Sequence, residues 1–249
     1  MDAIKQIQED EYDFPYHYIP KRVDSSFSWS KYWSWSFQYL GGIDFTLEQL
    51  GNIKFDSLID IGCGDGRFLR EVHSRYSNVR AKGIDYSEKA IRYAKAFNPD
   101  LDYDVFDITK DSLGETYDVA TLIEVIEHIE PSKLDGFIKS ISKMLSSNSY
   151  LMITVPHTNK QLSPKHYQHF NSKKLKELLE KDFDIQEIVP FDKKSKLVKL
   201  VLMLIGGKGN WFVLSNEKIL GYLYNYYRKK YLKCNESDCL RIAVIAKRK

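Results

Sequence analysis

The sequence predicts an α/β protein: a largely parallel sheet with helices on both faces. Three observations carry that prediction. Short β-rich apolar runs alternate with amphipathic segments from Leu58 to Val189, the pattern of strands joined by helical crossovers. The run Leu58-Ile59-Asp60-Ile61 stops at three alternating glycines, Gly62, Gly64 and Gly66, and Phe68, Leu69, Val72 and His73 follow at helical spacing. A second apolar strand, Ala81-Lys82-Gly83-Ile84, again closes on an acid, Asp85.

The elements follow in order. Residues 1–45 are polar at first and then aromatic, with Tyr16-His17-Tyr18, Phe27, Trp29, Tyr32, Trp33, Trp35, Phe37 and Tyr39. Pro15 and Pro20 argue for an extended start, and Trp29–Leu40 suits a helix. A short helix over Phe45–Ile53 leads to the first sheet strand. Glycine is needed where φ is positive or where a ligand meets bare backbone, and the helix that follows such a turn offers free N–H groups. The pattern then reads helix Phe68–Tyr76, strand Arg80–Asp85 and helix Glu88–Phe97 capped by Ser87. Next come strand Tyr103–Phe106, a loop over Asp111–Glu115 and strand Tyr117–Ile123. Helix Pro131–Met144, strand Ser149–Val155, helix Ser172–Lys181 and strand Phe183–Val189 complete the alternation.

From about 195 to 236 the alternation breaks. Apolar Leu197–Ile205 is interrupted by Lys199 and ends at Gly206-Gly207-Lys208-Gly209. A second amphipathic helix, Glu217–Leu232, carries Tyr222, Tyr224, Tyr226, Tyr227 and Tyr231, and Leu240–Ala246 reads as a closing strand. The expected organisation is an aromatic N-terminal lid segment over 1–45 and one domain over 46–249 that contains a helical insertion at 195–236. At 249 residues one large domain is the natural size.

Composition narrows the function classes. A formal charge of +3 is too near neutral to signal a nucleic-acid binder, although Lys193, Lys194, Lys196, Lys199 and Arg228-Lys229-Lys230 concentrate basic charge late in the chain. That basic-aromatic mix is compatible with peripheral contact at a membrane through 195–236. Cys63, Cys234 and Cys239 form no disulfide framework and no CxxC pair. With no signal peptide and no apolar run of about eighteen residues, a cytoplasmic location is expected.

Asp60-x-Gly62-x-Gly64-x-Gly66, GIDYS at 83–87 and VFDIT at 105–109 together resemble the class I S-adenosylmethionine (SAM) methyltransferases. Arg67 stands where a dinucleotide-binding motif would place its third glycine, so the spacing favours SAM over NAD. The resemblance implies a Rossmann-like seven-stranded methyltransferase sheet with the last strand antiparallel and the insertion before it. It implies that Asp60, Gly62, Cys63 and Gly64 line the methionine end of SAM, that Asp85 and Tyr86 meet the ribose, and that Asp107 and Ile108 meet the adenine. It also implies an N-terminal segment that lids the cofactor.

The second informative stretch is Glu124-Val125-Ile126-Glu127-His128, at the carboxyl end of a strand where open α/β sheets bind ligands. If helical, it puts Glu124 and His128 at i,i+4 with Glu127 near the same face. Glu124 is also placed beside the cofactor. An imidazole there can take a proton from an acceptor hydroxyl, with Glu127 beside it. The same residues offer a divalent metal site, Mg or Mn, with His166 or His169 as a further ligand. EVIEH resembles the matching segment of ubiquinone-biosynthesis O-methyltransferases and of small-RNA 3′-terminal 2′-O-methyltransferases, both credited with a metal there. The RNA group's Phe-Glu-Trp is absent, since Phe170-Asn171-Ser172 stands in its place. The tail resembles bacterial surface-glycan methyltransferases. The expectation is O-methylation of a small-molecule, sugar or lipid-linked acceptor; an RNA 3′-end enzyme and a catalytically silent SAM-binding protein are the alternatives.

Overall fold

The sheet is built around a strand that is buried at every position, Ser57–Ile61, which is why Leu58, Ile59 and Ile61 place apolar side chains on both of its faces rather than on one. The computed structural model describes residues 3–10, 20–23, 26–29, 33–110, 113–206, 214 and 216–249. In chain order the elements are α1 (Ala3–Asp10), β1 (Pro20–Val23), β2 (Ser26–Trp29), α2 (Trp33–Leu50), β3 (Ser57–Ile61), α3 (Arg67–Arg75), β4 (Arg80–Asp85), α4 (Glu88–Phe97) and β5 (Asp102–Val105). They continue with β6 (Tyr117–Ile123), α5 (Pro131–Lys143), β7 (Leu145–Pro156), α6 (Ser172–Leu179), β8 (Phe183–Lys193), α7 (Lys196–Gly206), α8 (Glu217–Tyr231) and β9 (Cys239–Arg248).

Seven strands form one sheet in the order β5-β4-β3-β6-β7-β9-β8. The five from β5 to β7 are parallel neighbours, and β9 runs antiparallel to both β7 and β8. This is the expected Rossmann-like sheet with its last strand reversed. One face packs under α2, α3 and α4 through Ile43, Leu47, Leu69, Val72 and Ile91. The other packs under α5 and α6 through Leu134, Ile138, Ile141, Leu175 and Leu179. A third cluster joins α2 to α7 and α8, with Phe45 stacked on Phe191 at 4.3 Å between ring centroids. Strand order reverses between β3 and β6, so the crevice at their carboxyl ends is the topological switch point.

Two expectations change. The helix expected over Trp29–Leu40 gives way to strand β2, which ends at Trp29, and to α2. The separate helix over Phe45–Ile53 is absorbed into α2, which continues through Gly41-Gly42. Glycine inside a helix costs about 1 kcal/mol. Here a Cβ on Gly41 would stand 2.9 Å from the Tyr227 ring, and one on Gly42 would enter the Arg241 guanidinium, so close packing keeps the helix unbroken. The aromatic side chains from Tyr16 to Trp35 lie outside the described residues. Among the described residues no helix is long and apolar enough to cross a membrane.

Candidate functional site

The turn after β3 is forced by its glycines. Gly62, Gly64 and Gly66 have φ of +75°, +56° and +78°, and a Cβ on Gly62 would come within 2.6 Å of Val125. The backbone therefore closes tightly against the loop after β6. The Gly64 N–H donates to Asp85 Oδ2 at 3.0 Å, and the Ser87 N–H donates to Oδ1 at 2.9 Å. Asp85 is thus fixed at the end of β4, and burial pushes its carboxyl up to about 6 against those backbone donors. Asp60 lies deeper and accepts a 2.7 Å bond from the Thr121 hydroxyl. Burial raises it to about 7, opposed by Thr121 and aided by Asp85. Cys63 is buried in the same turn.

Tyr86, next along, is exposed, and the Lys5 ammonium of α1 stands 5.4 Å from its ring centroid. The Glu9 carboxylate of α1 also raises the Asp85 carboxyl, so the first helix lies beside the end of β4. Asp107 turns into its own loop, accepting bonds from the Thr109 N–H and hydroxyl at 3.0 and 2.6 Å and an ion pair from Lys110 at 2.9 Å. Although burial opposes it, these partners hold the carboxyl below its ordinary value. Ile108 is buried in the core.

EVIEH turns helical only in its last residues, so the i,i+4 relation that a full helix would give is not formed. Glu124 takes a left-handed conformation, φ +57°, and its N–H donates to the Thr154 carbonyl at 2.8 Å. Only Ile126–His128 then form a single 3₁₀ turn. The reversal removes Glu124 from the i,i+4 relation to His128. Its carboxyl is raised by burial, with the Arg241 charge opposing, and Oε1 has no hydrogen-bond partner.

Glu127 is fully buried and neither carboxyl oxygen has a hydrogen-bond partner. Burial, and then the Glu124 charge, push it well above the usual carboxylate range. Around it the loop after β7 is stitched down: the Tyr167 N–H donates to the Glu127 carbonyl at 2.9 Å. His128 Nδ1 lies 2.9 Å from the Lys165 carbonyl, which can only accept, so Nδ1 carries a proton and, in the neutral ring, Nε2 is the acceptor nitrogen, 4.0 Å from Glu127 Oε1. The same logic runs through the next pair. His169 Nδ1 donates to the Lys160 carbonyl at 3.1 Å, so its Nε2 accepts from His166 Nδ1 at 2.8 Å. His166 Nε2 is left unprotonated. Burial and neighbouring positive charge lower His166 to about 3, keeping it neutral.

Glu127, His128 and His166 thus bring ligand atoms within 4.8 Å of one another. Of the expected set, Glu127 and His128 come together and His166 completes the group. His169 stands behind His166 as its hydrogen-bond acceptor. Glu124 is not one of the three.

One site element was not singled out in the sequence. Arg241 of β9 is buried, its guanidinium 4.6 Å from the Phe191 ring centroid, with Nη2 donating to the Gln38 carbonyl at 2.6 Å and Nε 3.3 Å from Asp192 Oδ2. Tyr227 donates to the other Asp192 oxygen at 2.8 Å. An arginine inside the apolar run LRIAVIA was the available signal, because a buried guanidinium needs partners.

The sequence profile described as a methyltransferase domain matches residues 32–185, more than half of the chain. The chain belongs to the methyltransferase domain family. This methyltransferase is 33% identical over 125 residues to a putative methyltransferase, 235L, of Invertebrate iridescent virus 6, covering 49% of this chain and 46% of that one. It is 28% identical over 132 residues to a ubiquinone biosynthesis O-methyltransferase of Nitrosomonas europaea, covering 50% and 52%. The matched region spans about half the length of each relative. In fold it is similar to the N-methyltransferase NodS of Bradyrhizobium japonicum, solved with S-adenosylhomocysteine, with a TM-score of 0.63, 15% identity and 99% of each chain covered. The relatives therefore include enzymes named for both oxygen and nitrogen acceptors.

Proposed function

We propose that this protein transfers the methyl group of SAM to a hydroxyl of a small-molecule, sugar or lipid-linked acceptor. The observation that carries the proposal is the buried Glu127 carboxyl facing unprotonated imidazole nitrogens at the switch-point crevice. In this reading the glycine turn, Cys63 and Asp60 hold the methionine end of SAM. Asp85 and Tyr86 hold the ribose, while Asp107 and Ile108 lie at the adenine. Aligning the sulfonium methyl with the acceptor contributes roughly 7–11 kcal/mol of the barrier reduction. A neutral hydroxyl is a poor nucleophile and must lose its proton, and His128 Nε2 is placed to take it. The Lys165 carbonyl holds the ring in the required tautomer, and the positive charge that forms on His128 would favour ionisation of the neighbouring Glu127 carboxyl.

The same three side chains fit a divalent metal. A buried carboxylate without partners needs a cation or a proton, and both histidines have their outer nitrogens oriented by acceptors, as ligating histidines do. One carboxylate with two imidazoles suits manganese, iron or zinc better than magnesium. Such an ion would supply positive charge that acidifies an acceptor hydroxyl.

The test is calorimetric titration with S-adenosylhomocysteine, and separately with Mn(II) after EDTA treatment, followed by turnover with SAM on hydroxyl and amine acceptor panels. We expect cofactor binding without metal, methylated hydroxyl products, and loss of both Mn(II) binding and turnover in Glu127→Gln. Absence of S-adenosylhomocysteine binding overturns the cofactor assignment, and products confined to amines overturn the acceptor.

A further inference from the structure

Helix α7 is the most apolar helix of the described residues, yet only one side of it is covered. Val198, Val201, Leu202 and Ile205 face the cluster shared with α2 and α8. Leu197, Leu200 and Leu204 lie on the outer side and are 54%, 48% and 55% exposed. They recur at i, i+3 and i+7, so they form a stripe along the helix. Helix α8 repeats the arrangement: Ile219, Tyr222 and Tyr226 recur at the same spacing and are 48%, 71% and 45% exposed. The two stripes meet at an apolar cavity of about 180 Å³ whose lining includes Leu197, Val201, Tyr222 and Tyr226. A continuous exposed surface of this kind marks an interaction site.

The charges around it indicate what covers it. At 100° per residue, Lys196 and Lys199 flank the α7 stripe on the side away from the cavity. Lys229 and Lys218 flank the α8 stripe on one side and Lys230 flanks it on the other. All five are exposed, and α7 contains no acidic residue. Leucines and tyrosines edged by lysines on both helices suit the headgroup region of a bilayer, where apolar side chains enter the acyl boundary, tyrosines sit at headgroup depth and lysines meet anionic lipid. A second copy placed symmetrically on the same face would set lysine against lysine.

We propose that the face formed by α7 and α8 docks on an anionic lipid bilayer, with Leu197, Leu200, Leu204, Tyr222 and Tyr226 entering the interface. The surface is independent of the acceptor chemistry. It is nevertheless joined to the active-site side of the sheet, because Tyr227, on the inner side of α8, donates to the Asp192 that pairs with Arg241.

The experiment is co-sedimentation of the full chain with vesicles of phosphatidylcholine alone and of phosphatidylcholine mixed with phosphatidylglycerol, at low and high salt. Binding to the mixed vesicles only, weakened by salt, is expected. Replacing Lys196 and Lys199 together by glutamine should weaken it about 25-fold, near fivefold per charge. The double variant Leu200→Glu/Leu204→Glu should lose it while keeping the wild-type S-adenosylhomocysteine affinity and unfolding midpoint, since both side chains point away from the core. No binding to either vesicle overturns the proposal, as does equal binding by the double variant. A concentration-dependent dimer that the double variant abolishes overturns it in favour of a second copy.

Discussion

Asp60 is a carboxyl that the fold keeps out of water and that the proposed cofactor recovers, and replacing it by asparagine separates the two effects. Its ordinary value is 3.8, and in the folded protein burial raises it to about 7. Below the lower value the group is protonated in both states. Between the two values the unfolded chain releases the proton and the folded chain keeps it, so stability falls as pH rises through that window. The full difference corresponds to about 4 kcal/mol. Asp60→Asn removes that penalty and keeps an acceptor for the Thr121 hydroxyl, but it buries amide hydrogens without a partner, at about 1–3 kcal/mol. Near neutral pH the variant should therefore be more stable by roughly 1–3 kcal/mol, with the advantage shrinking in acid. Urea denaturation at acid and neutral pH measures this. The cofactor reverses the ranking. In the proposed cofactor assignment an ionised Asp60 pairs with the ammonium of S-adenosylhomocysteine, so wild-type affinity should rise with pH, and Asp60→Asn should lose about 10- to 150-fold, as a charge-assisted hydrogen bond does. A variant less stable than wild type near neutrality, or an advantage that persists unchanged in acid, refutes the reasoning.

Other outcomes follow from the same geometry. Gly66→Ala places a Cβ at φ +78° and 2.5 Å from the Tyr103 hydroxyl, and should cost about 2–4 kcal/mol in urea denaturation. Glu127→Gln should leave S-adenosylhomocysteine affinity within about threefold of wild type but lower turnover at least 100-fold, read by calorimetry beside a methyl-transfer assay. Arg241→Met leaves Asp192 buried without its cation and should destabilise by about 3–5 kcal/mol, measured as a shift in the urea midpoint.

What the sequence disclosed was local, and what it concealed was long-range. Gly62, Gly64 and Gly66 were legible because positive φ is a demand that one residue type meets cheaply, and Asp85 because a strand's end is marked by where its apolar run stops. The parallel part of the sheet followed from the alternation of strands and helices, and the reversed last strand from the resemblance to the class I SAM methyltransferases. The chemistry of EVIEH was legible as residue types, but its geometry was not. A helix read from spacing assumes an unbroken backbone, whereas Glu124 turns left-handed where its N–H meets the Thr154 carbonyl, a partner thirty residues away. The tautomers of His128 and His166 depend likewise on the carbonyls of Lys165 and Lys160. Arg241 was overlooked because an arginine in a closing strand resembles any polar outward residue until Asp192 and Phe191 are seen around it. The unbroken helix through Gly41-Gly42 has the same origin, in the packing of Tyr227 and Arg241 against it.

The place of β9 in the sheet fixes an order of events during synthesis. It lies between β7 and β8, so β8, although made earlier, has no neighbour in the sheet until β9 has been translated. The glycine turn, Asp85 and β6 all lie within residues 57–123 and can assemble without β8 or β9, since segments fold as they appear. β8, Asp192 and the Arg241 pairing wait together for β9. The side of the sheet that carries the glycine turn is therefore complete in sequence before the wall that carries α7 and α8, which β9 latches in place.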